Sequence, residues 1–168
     1  MSFKMYILSF LALYLVFFTL GYYFEPSVSS ATVAKPLSYR DIFYIFMINS
    51  LIIFFIFILC PTGISLIIIF KNVFSIGQSI QSSGEEFYMY FSISLIHGIF
   101  EITALFFAYK LTIDFFTIYL KPGFFRSKSF KGMLINLFSV YLIYILPLLL
   151  IGAIFEVLVS NRLLISYQ

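Results

Sequence analysis

Residues 42–60, "IFYIFMINSLIIFFIFILC", and 62–80, "TGISLIIIFKNVFSIGQSI", are two apolar runs laid almost end to end. A bilayer's hydrocarbon core is about 30 Å thick and is crossed by about 20 helical residues. Each run is therefore one crossing, and the pair is far too long to be a single one. Between them stands Cys60-Pro61-Thr62-Gly63. Proline removes an amide donor and disfavours helix at the residue before it. The segment predicts a tight helical hairpin over 42–80, with Pro61 and Gly63 making the turn.

Three further runs have the same length and character: 5–24, about 87–109 and about 133–158. The chain is 62% hydrophobic and 10% charged, where a soluble domain is about 45–50% apolar and about 25% charged. The expected fold is all-α, a polytopic membrane helical bundle of five transmembrane helices, with 1–168 as a single integral membrane domain. The first run starts near Lys4, and small residues at Ser29 and Ala31 would suit a signal-peptide cleavage site. A signal peptide's apolar region is usually about 7–15 residues, so the longer run 5–24 is expected to stay in the mature protein. Cys60 is the only cysteine, which excludes an intramolecular disulfide or a cysteine cage for a metal.

Charge placement predicts the orientation. Lys110, Lys121, Arg126, Lys128 and Lys131 stand against one acid, Asp114, in 110–132. Positive loops face the cytoplasm, so the chain is expected to run N-in and C-out, with Glu85 and Glu86 outside. Phe115, Phe116, Ile118, Tyr119, Phe124 and Phe125 alternate with these cations. The stretch is expected to be a cytoplasmic loop; its plain reading is a topology signal with incidental aromatics, and the alternation also suits a segment in the headgroup layer, rings down and charges up. Lys121, Arg126, Lys128 and Lys131 are candidates for docking a cytoplasmic partner.

Ionisable groups near the bilayer centre cost at least about 2.5–3.5 kcal/mol each on insertion scales, and they usually face protein or water. The intramembrane polar set is Asn49, Lys71, Asn72, His97, Glu101 and Glu156. His97 and Glu101 are i and i+4, on one helix face and near enough to hydrogen-bond each other. Gly98, Ala104 and Gly77 would let neighbouring helices approach. Lys71 needs a counter-charge or an escape to the interface, and Glu101 is its expected partner at matching depth, with Glu156 the alternative. Pro147 should kink the last helix and free a backbone carbonyl, either as packing geometry or to open a cavity beside Glu101.

Little here suits catalysis. "HGIFE" is not the His-Glu-x-x-His of zinc proteases, and one His with one Glu does not complete a three-ligand zinc site. No glycine-rich phosphate loop is present, and the basic stretch is too short and too close to the membrane for nucleic-acid binding. No enzyme activity, metal or cofactor is expected.

"SLIHGIFEITALFFAYKL" resembles the "HGIFE" helix of the stage II sporulation protein M family of integral membrane proteins. "MINSL" is similar to the Asn-rich start of that family's inner helix, with Asn49 kept and Ser50 in place of a second Asn. "FKNVFSIG" resembles its Asn-Gly…Gly element through Asn72 and Gly77, with Val73 replacing Gly. "ILPLLLIGAIFEVLVS" resembles its last helix through Pro147 and Glu156. Ile96 and Thr103 stand where the pattern often has Pro, and Lys71 is a departure. The resemblance implies a scaffold acting beside cell-wall hydrolases, or a component encoded near peptide bacteriocins and transporter subunits, in a bacterial cell membrane.

Three functions follow, in order. The first is a non-enzymatic subunit or scaffold of a membrane complex, whose partners are other membrane proteins or further copies of itself. The second is a membrane component of bacteriocin export or immunity, working with an ATP-binding cassette (ABC) ATPase on a small hydrophobic peptide. The third is a proton-coupled carrier using His97 and Glu101, for which the sequence lacks a second inverted half.

Overall fold

The computed structural model describes residues 2–24, 36–83, 86–119 and 129–167. Four helices, α1 (Phe3–Tyr23), α2 (Tyr39–Leu59), α3 (Ile64–Ser82) and α4 (Phe87–Tyr119), precede a composite last span. That span is α5 (Ser129–Val140), α6 (Leu146–Phe155) and α7 (Asn161–Tyr167), joined through π turns at Tyr141–Ile145 and Glu156–Ser160. Among the described residues five stretches are long and apolar enough to cross a membrane, and all regular structure is helical. This is a multi-pass, all-α membrane bundle.

The hairpin between α2 and α3 forms as its residues dictate. Cys60–Thr62 make a 3₁₀ turn with Pro61 in its first positions, where a missing amide hydrogen costs nothing. Gly63 closes the turn at φ 73°, a left-handed conformation that glycine adopts freely. The Thr62 hydroxyl donates to the Leu59 carbonyl at 2.7 Å. At the far end of α2 the Asp41 carboxylate accepts the Ser38 amide hydrogen at 2.6 Å and so ties down the chain ahead of the first turn.

α1 lies on α3 backbone to backbone. A Cβ added at Gly21 would sit 2.0 Å from the Phe74 carbonyl oxygen, and one at Gly77 would sit 2.3 Å from that of Phe18. Gly77 thus has the close-packing role expected of it, shared with Gly21.

α4 continues well beyond the expected end at 109. Lys110 and Asp114 are i and i+4 and pair at 2.6 Å, so these charges do not break the helix. Ala104, Ala108 and Thr112, spaced by four, are fully buried and let neighbours close in on α4. Thr112 donates to the Ala108 carbonyl at 2.8 Å and meets the Cys60 sulfur at 3.3 Å. Phe115 is 1% exposed. The expected loop 110–132 is therefore helix up to Tyr119 and again from Ser129, and Phe115 is a core residue, not a ring in the headgroup layer. Lys121, Arg126 and Lys128 lie outside the described residues, as do Ser29, Ala31 and Glu85. Lys131 is exposed on α5.

Successive spans run antiparallel. One end of the bundle gathers the start of α1, the 60–63 turn and the end of α4. Tyr6 donates to Asp114 there, and a Cβ on Gly63 would lie 3.3 Å from the Phe116 ring. This is the basic end, close to Lys4, Lys110 and Lys131. At the opposite end Tyr22 meets Phe87 with ring centres 5.4 Å apart, and the Leu37 amide donates to the Asn161 side chain at 2.8 Å.

Candidate functional site: a polar seam and its cavity

Tyr90, Ser94, His97 and Glu101 follow one another at steps of four, three and four on α4, so they form one stripe along the helix. Ala104, Ala108 and Thr112 carry the same face on towards the basic end. One surface of α4 is thus polar over its first half and small-residue over its second.

The stripe is fastened at two points, to two different helices. Asn49 on α2 donates its amide to Glu101 Oε1 at 2.6 Å. His97 Nδ1 lies 2.9 Å from Ser160 Oγ, at the end of the second π turn. Ser160 is 1% exposed and donates to the Ile93 carbonyl at 3.1 Å. Its single hydrogen is used there, so the imidazole is the donor in the other bond. Nδ1 therefore carries a hydrogen. His97 and Glu101 therefore do not bond each other, although they share a face: each reaches across to a separate span.

Between α1, α3, α4 and the last span lies a cavity of about 210 Å³. His97, Glu101 and Glu156 line it together with Tyr14, Ser79 and Tyr90. Tyr90 and Ser79 are near the opposite end of the bundle, and Glu101 is near the middle of α4. The lining thus extends from near that end to Glu101 and Ile102. One turn further on, Leu105 and Tyr109 of α4 and Phe10 of α1 are almost wholly buried. Phe10 and Tyr109 meet with ring centres 5.4 Å apart, and the Tyr109 hydroxyl donates to Ser9 at 3.0 Å. Beneath them lies the Tyr6–Asp114–Lys110 cluster, with the Lys110 ammonium 5.2 Å from the Tyr6 ring centre.

Residues 5–161 match the family model described as stage II sporulation protein M. The chain belongs to that family. No curated protein and no solved structure matches it. The "HGIFE" element of this family member is thus the segment of α4 that bonds both α2 and the last span.

Not all of the expected polar set converges. Glu156 opens the second π turn and lines the cavity. Asn72 is half-buried on α3 and outside the cavity lining. Lys71 is exposed on the same helix and does not pair with Glu101, whose partner is Asn49. The only ion pair among the described residues is Lys110–Asp114. Helix rotation accounts for this: the buried side of α3 is Ile69, Val73, Gly77 and Ile80, and Lys71 points away from it.

Gly98 does not admit a neighbouring helix, because a Cβ there would meet nothing within 4 Å. It lines the cavity instead. The small residue that faces α4 is Gly152 of α6, whose added Cβ would lie 3.6 Å from Glu101 Cγ. Pro147 is exposed and directly follows the first π turn, where the Leu146 amide reaches back to the Tyr141 carbonyl. It does not line the cavity beside Glu101. The same π turn places the Tyr141 hydroxyl 3.1 Å from the Ser50 carbonyl of α2. The sequence reading missed Ser160, Tyr14, Ser79, Tyr90 and Ser94. The four-three-four spacing on α4 was the available signal for Tyr90 and Ser94; Ser160 offers none.

Proposed function

We propose that the chain is a non-enzymatic integral membrane subunit of a multi-protein complex, a scaffold rather than a catalyst or a carrier. The observation that carries this reading is how the intramembrane polar groups are used. Asn49, Glu101, His97 and Ser160 join α2, α4 and the last span to one another. Such bonds fix helix register, which a scaffold needs. The cavity lining reaches Glu101 and Ile102, and a layer of buried rings and aliphatic side chains follows towards the basic end, which speaks against a continuous path for protons. The membrane is the bacterial cytoplasmic membrane, and the cationic end faces the cytoplasm by the positive-inside rule. Lys121, Arg126, Lys128 and Lys131 are the groups through which that end meets a cytoplasmic component.

Purification from native membranes in mild detergent tests the reading. A stoichiometric assembly larger than the 19.5 kDa chain is expected. A monodisperse lone protein in several detergents overturns it. The carrier alternative requires proteoliposome flux that Glu101→Gln abolishes.

A second reading, export of or immunity to a small hydrophobic peptide with an ABC ATPase, draws support from a different feature. An apolar cleft of about 180 Å³ lies between α2, α4 and the last span near the basic end, lined by Phe54, Phe57, Phe115, Leu137, Phe138 and Tyr141. It has room for an apolar side chain of such a peptide. Deletion of the gene that leaves both peptide secretion and producer survival unchanged dismisses this reading.

A further inference from the structure

α3 carries a second polar row, on the side away from the bundle. Ile64, Ile67, Lys71, Ser75, Gln78 and Ser82 recur at steps of three and four and so share one helix face. Ile64, Ile67, Lys71 and Ser82 are exposed, with Ile67 at 70%. Lys71 and Gln78 are two turns apart and find no hydrogen-bond partner among the described residues. The 19 residues of α3 rise about 28 Å, and Lys71 stands about 10 Å from the helix's first residue, roughly a third of the way in. An ammonium there must either bend its whole stem towards the near surface or meet an anion within the membrane.

We propose that this face of α3 docks a transmembrane helix of a different protein, one that carries a carboxylate at the depth of Lys71. The inference rests on the subunit reading and deepens it by naming the surface and the partner's chemistry. Charge complementarity selects the occupant. A second copy is disfavoured, because a two-fold axis along the membrane normal would set Lys71 against its own equivalent. Nor, among the described residues, does another face offer an acid at that depth. Glu101 and Asp114 are bonded inside the bundle and Glu156 faces the cavity. Gln78 lies two turns from Lys71 and supplies a donor and an acceptor for a polar group further along the partner helix.

The test uses the purified protein in phosphatidylcholine vesicles with designed leucine-rich transmembrane peptides, read by fluorescence energy transfer. One peptide has a Glu roughly a third of the way in from either end, so that its orientation is immaterial; the control has Leu at both positions. The Glu peptide should associate about tenfold more tightly than the Leu peptide, the factor that a polar helix contact supplies in model systems. Lys71→Met, which keeps the length of the stem, should lower it to the Leu level, and Lys71→Arg should retain it. Equal association of the two peptides overturns the proposal, and so does a preference that survives Lys71→Met. Loss of the preference once phosphatidylglycerol is included also overturns it, because the ammonium then serves a lipid headgroup. Energy transfer between two copies of the protein that Lys71→Met abolishes assigns the face to self-association and overturns it as well. None of these results bears on whether the native protein purifies within an assembly, so the two readings fail separately.

Discussion

Gly77→Ala should separate α1 from α3, and its cost can be worked from the backbone. The new Cβ would lie 2.3 Å from the Phe18 carbonyl oxygen and 2.8 Å from the Tyr22 nitrogen, where ordinary van der Waals contact begins at 3.4 Å. Both obstacles are helical backbone, so no side chain can swing aside; the helices must part by roughly 1 Å. Overpacking of this kind costs about 1–3 kcal/mol. Alanine's better helix propensity returns up to about 1 kcal/mol, so even after the full return the net loss reaches about 2 kcal/mol. Association of membrane helices depends on packing, because lipid is as apolar as leucine and gives no hydrophobic drive. Gly98→Ala is the matched control, since its Cβ meets nothing within 4 Å. It should be neutral or stabilising by up to about 1 kcal/mol. Reversible unfolding in mixed micelles of SDS and mild detergent would report both variants. If Gly77→Ala proved as stable as Gly98→Ala, the close contact between α1 and α3 would be refuted.

Other substitutions probe the seam and the core. A double-mutant cycle of Asn49→Leu and Glu101→Met, measured by the same unfolding, should give a coupling of about 0.6–1.7 kcal/mol; a value of zero would mean that the 2.6 Å bond is not made. Ser160→Ala should cost about 1 kcal/mol by freeing the His97 Nδ1–H, and Thr103→Ala should cost far less, because that hydroxyl bonds only its own helix at Ile99. Phe115→Ala should cost about 3–5 kcal/mol as a core truncation, whereas Tyr88→Ala, at an 82% exposed ring, should be near neutral. Equal effects at Phe115 and Tyr88 would restore the headgroup-layer picture of the 110–132 stretch.

The sequence made some of this legible for plain reasons. Lipid leaves no room for unsatisfied backbone, so each apolar run of sufficient length had to be a helix. Pro61 and Gly63 then left one place for the hairpin turn. What the sequence could not convey was rotation about each helix axis. Lys71 and Glu101 are both far from the ends of their helices, and depth alone makes them plausible partners. The buried row Ile69, Val73 and Ile80 turns α3 so that Lys71 faces away. Charge alone does not mark the end of α4. Lys110 and Asp114, four apart, neutralise each other on one helix face, and Phe115 follows into the core. Gly98 shows the same limit: a small residue permits a neighbour but does not say on which side one lies.

The two polar rows make opposite uses of the same cost. On α4, His97 and Glu101 bring hydrogen-bonding groups into the membrane, and each finds a partner on another span of the same chain. That internal pairing holds α2, α4 and the last span in one register. On α3, Lys71 and Gln78 bring comparable groups into the membrane at a surface where the described residues offer them nothing. α3 is itself held from behind by α1 through Gly21 and Gly77, so its outward face is presented on a rigid support. An internal seam that fixes the body and an unsatisfied row on its exterior are what a subunit requires if recognition is to be settled within the bilayer. An autonomous carrier would be under no pressure to place a lysine on its lipid-facing side, where it pays the insertion penalty without contributing to a path.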